Sequence, residues 1–350
     1  MTPKYEIIHQ TILKQIQSGA LNPDDPLPGE DELAKEYGVS LITVRRAMTE
    51  LKQDGAIVRV RGQGSFVKKP ESRPAAAAQR AIAFLLSHDN NAAVSITRII
   101  SGVMDVLSAR GYKLLVEWNV TSGPIQREVM EKMQQLGVEG FLIYPFDPDA
   151  DARSYEYLER CGAPYVLIDR YPHGRSVDYV GSDNLEGGRA AFKAFASRGH
   201  KRLGAVTHLS FLSSERERVM GFRDAAEEGG VAVTVIKDTD AQQLRRTISE
   251  NGITGLFCIS DRVAARTIQK LKASGFDVPG DVSVIGFDDY YFESLAEEAF
   301  SSVRQDFRGI GETAAKAILR RMENPAAGRL KTLLRAEMVE RPASLATPKS

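Results

Sequence analysis

Several side chains in this 350-residue chain have the types and spacing to do chemistry. In SLITVRRAMTELK, Ser40, Thr43, Arg45 and Arg46 fall at the start of a helical period. Short hydroxyls and guanidinium groups at a helix N-terminus reach phosphates and base edges in a DNA major groove. Arg59 and Arg61 then alternate onto one face of a short strand, and the Gly62-Gln63-Gly64 tip can approach a groove where a side chain would clash. Each piece has a plainer reading, a solvated helix face or an ordinary hairpin turn. Their order, helix, turn, basic helix and basic wing within about seventy residues, is far more specific than any piece alone.

A further set suits a hydroxyl-rich ligand. Asp169 and Asp288 each close an apolar run, and Arg218 stands at the edge of a helix start. Hydroxyls both donate and accept, so their site needs ionised carboxylates, guanidinium donors and a mostly apolar wall. The loop Ser87–Ser95, with His88 and Asp89, supplies more polar groups, although turns favour the same residues. Asp169 beside Arg170 equally reads as a surface pair, and Asp288 beside Asp289 as a cap. Catalysis finds little support: there is no Gly-x-Ser-x-Gly elbow, His-Glu-x-x-His or P-loop, and only five His occur. His200, in a helix–strand connection, reads as structural and His9 as solvated. No enzyme activity, metal site or cofactor is expected.

Around these residues the chain is organised in two styles. Tyr5, Ile8, Ile12 and Ile16 recur at helical spacing up to Gly19. A second short helix carries Leu33, Ala34 and Tyr37 and ends at Gly38. Ser40 caps a third, which buries Val44, Ala47, Met48 and Leu51 and stops near Gly55; a hairpin follows. Prolines and an alanine tract mark 70–79 as a linker. From residue 80 short apolar runs, from Ile82–Leu86 to Val282–Phe287, alternate with amphipathic stretches. That repeat predicts an α/β fold with doubly wound, largely parallel sheets, which bind ligands at the carboxyl ends of their strands.

The zero net charge leaves no whole-molecule field to attract nucleic acid or membrane, so any basic surface is local. Residues 41–69 hold it: Arg45, Arg46, Lys52, Arg59, Arg61, Lys68 and Lys69 against Glu50 and Asp54, a net of +5. No signal peptide or membrane span is evident. Cys161 and Cys258 sit in apolar or small-residue stretches and are expected as buried free thiols in a cytoplasmic protein.

LPGEDELAKEYGVSLITVRRAMTELKQDGAIVRVRGQGSFV resembles the head of the GntR family, over roughly residues 3–69. That resemblance implies a small winged helix-turn-helix domain in which Glu30, Ser40, Thr43, Arg45 and the wing tip from Arg61 to Gly64 contact DNA. Two positions depart from the family pattern: Leu41 and Asp31 stand where Arg is usual. Asp169-Arg170, GSDNLEGGRAAFKAFASRGHKRLGAV, SSERERVMGF, DVSVIGFDD and SSVRQDFRGIGETAAKAIL resemble the LacI/GalR effector domain, which is periplasmic-binding-protein-like and two-lobed. It implies that Asp169, Arg218 and Asp288 bind effector, with Gln305 and Phe307 beside the cleft.

The expected organisation is a DNA-binding domain over 1–69, a linker over 70–79, an effector and dimerisation domain over 80–342, and a tail over 343–350. Within the effector domain the first lobe takes 80–180 and 306–330, and the second 181–305 and 331–342. The expected function is a homodimeric repressor of sugar-utilisation genes that leaves double-stranded operator DNA when a small carbohydrate fills the cleft. The alternatives are a solute-binding protein, or a regulator that answers to a nucleobase or phosphate ester.

Overall fold

Ile8 and Ile12, a turn apart on helix α1 (Lys4–Gln17), meet Leu33 of α2 (Glu30–Tyr37) and Val44, Ala47, Met48 and Leu51 of α3 (Leu41–Gln53). Ile57 and Val67, from strands β1 (Ile57–Val60) and β2 (Gly64–Val67), close this small core. Gly38 ends α2 in the left-handed region, at φ 58°; a Cβ would be strained there. Ser40 caps α3, its Oγ accepting the Thr43 N–H at 3.3 Å. The two strands are antiparallel, with Val60 opposite Gly64. This computed structural model describes residues 3–17, 20–54, 56–60, 64–68, 80–87, 93–119, 127–207, 212–290, 300–342 and 344–348. Gly19, Gly55, Arg61, Gly62, Gln63, His88 and Asp89 lie outside the described residues.

The chain divides into Met1–Ala78 and Gln79–Ser350. The second unit holds two six-stranded sheets. The first contains β3 (Ala81–Ser87), β4 (Lys113–Asn119), β5 (Val138–Tyr144), β6 (Tyr165–Ile168), β7 (Tyr179–Ser182) and β13 (Lys331–Leu334). The second contains β8 (Arg202–Thr207), β9 (Ala232–Lys237), β10 (Gly255–Cys258), β11 (Ser283–Asp288), β12 (Ser301–Arg304) and β14 (Glu337–Val339). Their orders, β13-β7-β6-β5-β3-β4 and β14-β12-β11-β10-β8-β9, are the same winding repeated. The pairing is parallel except for β14 against β12. Helices α4 (Ala93–Ala109), α5 (Arg127–Gln135), α6 (Ala152–Arg160) and α11 (Phe307–Glu323) serve the first lobe, and α7 (Asn184–Ala196), α8 (Ser213–Glu228), α9 (Ala241–Asn251) and α10 (Asp261–Ala273) the second. Ile82, Phe84 and Leu86 enter one core and Ala81, Ala83 and Leu85 another, so β3 is apolar on both faces.

Each lobe rests on one close helix crossing. A Cβ at Gly102 of α4 would lie 2.1 Å from the Arg308 carbonyl oxygen, and one at Gly311 of α11 2.0 Å from that of Ile99. In the second lobe a Cβ at Gly188 of α7 would lie 2.2 Å from the Arg218 carbonyl oxygen, and one at Gly221 of α8 1.9 Å from that of Leu185. Backbone meets backbone at both crossings, so no larger residue fits without separating the helices.

Strands β12, β13 and β14 carry too few apolar residues, in SSVR, KTLL and EMV, to stand out as apolar runs. Lys331–Leu334 pairs with Tyr179–Ser182 in the first sheet, so the chain returns to the second lobe after Leu334 rather than at 331. The expected tail is packed: Ser344 and Leu345 are buried, and the Ala346 carbonyl meets His200 Nε2 at 2.9 Å. Cys161 is exposed at the end of α6 because it caps the helix rather than entering the core; Cys258 is buried. The chain passes between the sheets at 182–184, 304–307 and 334–337. The carboxyl ends of β6 and β11, fourth in their respective windings, carry Asp169 and Asp288.

Candidate functional site

Asp169 and Asp288 occupy equivalent places, and both have positive φ, 67° and 115°. Aspartate tolerates this region better than most residues, and such geometry costs on the order of 1–3 kcal/mol. The strained turns aim both carboxylates into one cavity between the lobes, of about 70 Å³. Arg218, Gln305 and Phe307 line it too. Arg218 is 4% exposed and stands in the second turn of α8. Its Nε donates to Asn184 Oδ1 at 2.9 Å, and its Nη1 to the Ile259 carbonyl at 2.8 Å and Asp288 Oδ1 at 3.3 Å. The guanidinium carbon lies 4.0 Å from the Phe287 ring centroid. Gln305 ties three segments together: Ser182 Oγ donates to its Oε1 at 2.6 Å, and its Nε2 donates to Asp288 Oδ1 at 2.6 Å.

The opposite wall is built on Asp169. Tyr144, closing β5, donates to Asp169 Oδ2 at 3.1 Å, and the Tyr179 hydroxyl donates to the Asp169 carbonyl at 3.0 Å. Arg170 Nε stands 3.4 Å from Asp169 Oδ2, while its Nη1 donates to the Phe146 carbonyl at 2.9 Å. The Asp169–Arg170 pair is therefore buried in the cavity wall and not a surface pair. Sequence reading missed Tyr144, Arg170, Glu215, Arg262 and Tyr290, which also line the cavity. Tyr144 carried a usable signal, since it ends an apolar run as Asp169 and Asp288 do. Arg262 and Tyr290 carried none; only folding brings them in.

Burial pushes the Asp288 carboxyl up to about 7; Arg218 pulls it down, and Asp169 pushes it back up. Burial, helped by the Asp169 charge, likewise raises the Tyr144 hydroxyl, so Tyr144 remains a donor. Three carboxylates, Asp169, Glu215 and Asp288, face three guanidinium groups, Arg170, Arg218 and Arg262. Such a site offers donors and acceptors together with little net charge. Beside it the lobes are bridged: the Tyr171 N–H donates to Ser213 Oγ at 3.0 Å, and the Tyr171 hydroxyl donates to Glu217. Lys331 Nζ stands 3.6 Å from Glu217.

In the first unit Glu30, opening α2, joins α3 to the wing. Arg45 Nε donates to Glu30 Oε2 at 2.9 Å, and Arg59 Nη2 lies 3.1 Å from Glu30 Oε1. Ser40 and Thr43 share a hydroxyl contact at 2.9 Å on the same exposed turn. Arg46 faces elsewhere: its guanidinium stacks 3.8 Å over the Tyr5 ring of α1 and pairs with Glu50. Consecutive helical residues point about 100° apart, which separates it from Arg45. Ile42, not singled out by the sequence, is 78% exposed in the first turn of α3.

Residues 4–67 match the model of bacterial regulatory proteins of the gntR family, and residues 192–344 match a periplasmic binding protein-like domain. The chain joins a GntR head to a periplasmic-binding-protein-like body. Among relatives of this GntR-headed chain, an arabinose metabolism transcriptional repressor of Halalkalibacterium halodurans is 27% identical, over 91% of the chain and 89% of the relative. One of the same name from Geobacillus stearothermophilus is 26% identical, over 97% of each. These relatives are transcription regulators and not enzymes. The fold is that of a LacI family regulator from Enterococcus faecalis solved with bound ribose, with TM-score 0.64, 23% identity, and coverage of 77% of this chain and 100% of that one. It also matches the transcriptional regulator CelR in its cellobiose complex, with TM-score 0.66, 22% identity, and coverage of 91% and 100%.

Proposed function

We propose that the GntR-headed chain is a homodimeric transcriptional repressor of sugar-utilisation genes, released from its operator when a small carbohydrate fills the cavity between the lobes. The observation that carries this is the union, on one chain, of a GntR head bearing the Glu30–Arg45–Arg59 cluster and a body with a buried, charge-balanced cavity. Arg45 suits guanine, Glu30 suits a cytosine amino group, and Ser40 and Thr43 suit phosphate or base. Arg59 and the wing tip around Arg61, Gly62, Gln63 and Gly64 suit the backbone or an adjacent groove. In the body, Asp169 and Asp288 would accept sugar hydroxyls, Arg218 would donate, and Phe307 would give an apolar wall. His88 and Asp89 remain effector-contact candidates from the sequence. The balance of carboxylates and guanidinium groups favours a neutral sugar over a phosphate ester or nucleobase. Arabinose is the first candidate, from the names of the relatives. Cytoplasmic placement and an effector and dimerisation body follow from the same reading.

The test is an electrophoretic shift with the genomic fragments flanking the gene, with and without a panel of pentoses and hexoses. A shift abolished by Arg45→Ala and reversed by one sugar is the expected result. No shift on any fragment sinks the regulator reading, and a shift that no sugar alters sinks the effector reading.

A further inference from the structure

Gln305 and Phe307 wall two spaces and not one. On one side lies the cavity between the lobes; on the other lies an open groove of about 510 Å³, lined by Arg98, Arg304, Arg308 and Arg335 together with Asp306, Leu334 and Glu337. Two of the segments on which the chain passes between sheets form its floor, 304–307 and 334–337. Four guanidinium groups and two carboxylates line the groove, and Asp289, Asp105 and Glu312 neutralise two of the four from outside that lining, so the guanidinium groups left to a ligand are those of Arg98 and Arg335.

Charge pairing within the groove is uneven. Arg304 is held 2.6 Å from Asp289, and Arg308 pairs with Asp105 and Glu312. Asp306 spends its carboxylate on the N-cap of α11, accepting the Gly309 N–H at 2.9 Å. Arg98 and Arg335 have no acidic partner among the described residues. They reach the groove from different elements, Arg98 from the second turn of α4 and Arg335 from the turn between β13 and β14. Unpaired guanidinium forks converging on one space match phosphate oxygens, which take paired N–H donors in a plane. Glu337, on the same rim, accepts hydroxyls.

We infer that this groove is a second ligand site, which takes a phosphate monoester, with Arg98 and Arg335 as its anion-binding residues. Its chemistry is distinct from that of the neutral-ligand cavity, and its occupancy is reported through Gln305, whose two hydrogen bonds hold Ser182 and Asp288. An ester spanning α4 and both crossing segments braces one lobe arrangement and thereby alters the affinity of the cavity for its own ligand. Anion binding itself does not depend on the DNA-binding reading; the coupling rests on the cavity being the effector site.

The experiment is thermal unfolding of the full chain titrated with glucose 6-phosphate and, separately, inorganic phosphate, each at constant ionic strength set with chloride. A ligand that binds the folded state raises the melting temperature with a saturable concentration dependence. The expected result is saturation with at least one of these probes. Apparent affinity should then weaken about tenfold or more in Arg98→Ala and in Arg335→Ala, and be partly restored by Lys at either position. Both side chains are exposed, so an unliganded melting temperature within a degree or so of wild type shows that the variants are folded. Phosphorus NMR line broadening gives a second readout independent of unfolding. Asp288→Asn keeps the anion response if the groove is the site. Loss of the response in Asp288→Asn assigns it to the cavity and overturns the proposal. So does a response in both arginine variants unchanged from wild type, or an equal rise with chloride alone. A response present without any effect on sugar affinity overturns the coupling and leaves the anion site standing.

Discussion

At the residue scale, Asp288 carries the most consequence. Its carboxyl is pushed up to about 7, so between about pH 4 and pH 7 the folded protein holds a proton that the unfolded chain releases. The contribution of Asp288 to stability is therefore fully present below its unfolded value and is lost as pH rises through about 7. Asp288→Asn removes this dependence while still offering an oxygen to Gln305 and Arg218. In urea unfolding at pH 5, 6, 7 and 8, the stability of Asp288→Asn relative to wild type should climb with pH and level off above about 7, while ligand affinity falls at every pH. A pH-independent difference contradicts the assignment. Arg218→Ala leaves Asn184 Oδ1, the Ile259 carbonyl and Asp288 without their buried donor, and losing one partner of such a buried network costs about 3–5 kcal/mol.

At the element scale, the glycines in NLEGGRAAF and SSERERVMGF are explained by geometry that only the fold supplies. Gly188 and Gly221 let α7 and α8 touch backbone to backbone, and Arg218 stands three residues before Gly221 on the same face. Overpacking of a close crossing costs roughly 1–3 kcal/mol or more. Gly221→Ala should therefore lower the melting temperature and also displace Arg218, weakening ligand binding. Gly102→Ala, at the matching crossing of the first lobe, should destabilise by a similar amount with a smaller effect on affinity. Thermal unfolding and a titration followed by the fluorescence of the lone Trp118 separate the two. Equal affinity losses would deny Gly221 any role beyond packing. The helices and most strands were legible because apolar spacing repeats locally. Strands β12, β13 and β14 were not, because short strands at a crossover are specified by their neighbours in the sheet more than by their own residues.

At the scale of the whole molecule, the proposed switch needs a difference in free energy between lobe arrangements, and Tyr171 is a measurable part of it. Its N–H and hydroxyl bridge to Ser213 and Glu217 across the cleft. Tyr171→Phe keeps the ring and removes the hydroxyl, with its bond to Glu217 across the cleft and the one it accepts from Lys331 Nζ at 3.2 Å. Sugar affinity should drop roughly threefold to tenfold, as for one partly exposed hydrogen bond to a charged group, while operator affinity without sugar stays close to wild type. By linkage, the factor by which sugar weakens operator binding equals the factor by which operator weakens sugar binding, and both should shrink together in this variant. Shift assays and fluorescence titrations, each run with and without the other ligand, check that equality.

The sequence alone determined the two-part organisation, the head with its capped α3 and basic wing, and the doubly wound body with acids at strand ends. All of these are written in local periodicity, turn residues and short motifs. Tertiary structure decided what those residues do to one another. It turned Arg46 toward Tyr5 and set Arg45 and Arg59 on Glu30. It moved Lys331–Leu334 into the first sheet and drew Tyr144, Arg262 and Tyr290 to the cavity. It also set Arg98 and Arg335 around one groove. Spacing along a chain prescribes which face a side chain takes, but partners far apart in sequence are chosen by the packing of whole elements, where burial and charge pairing are settled together.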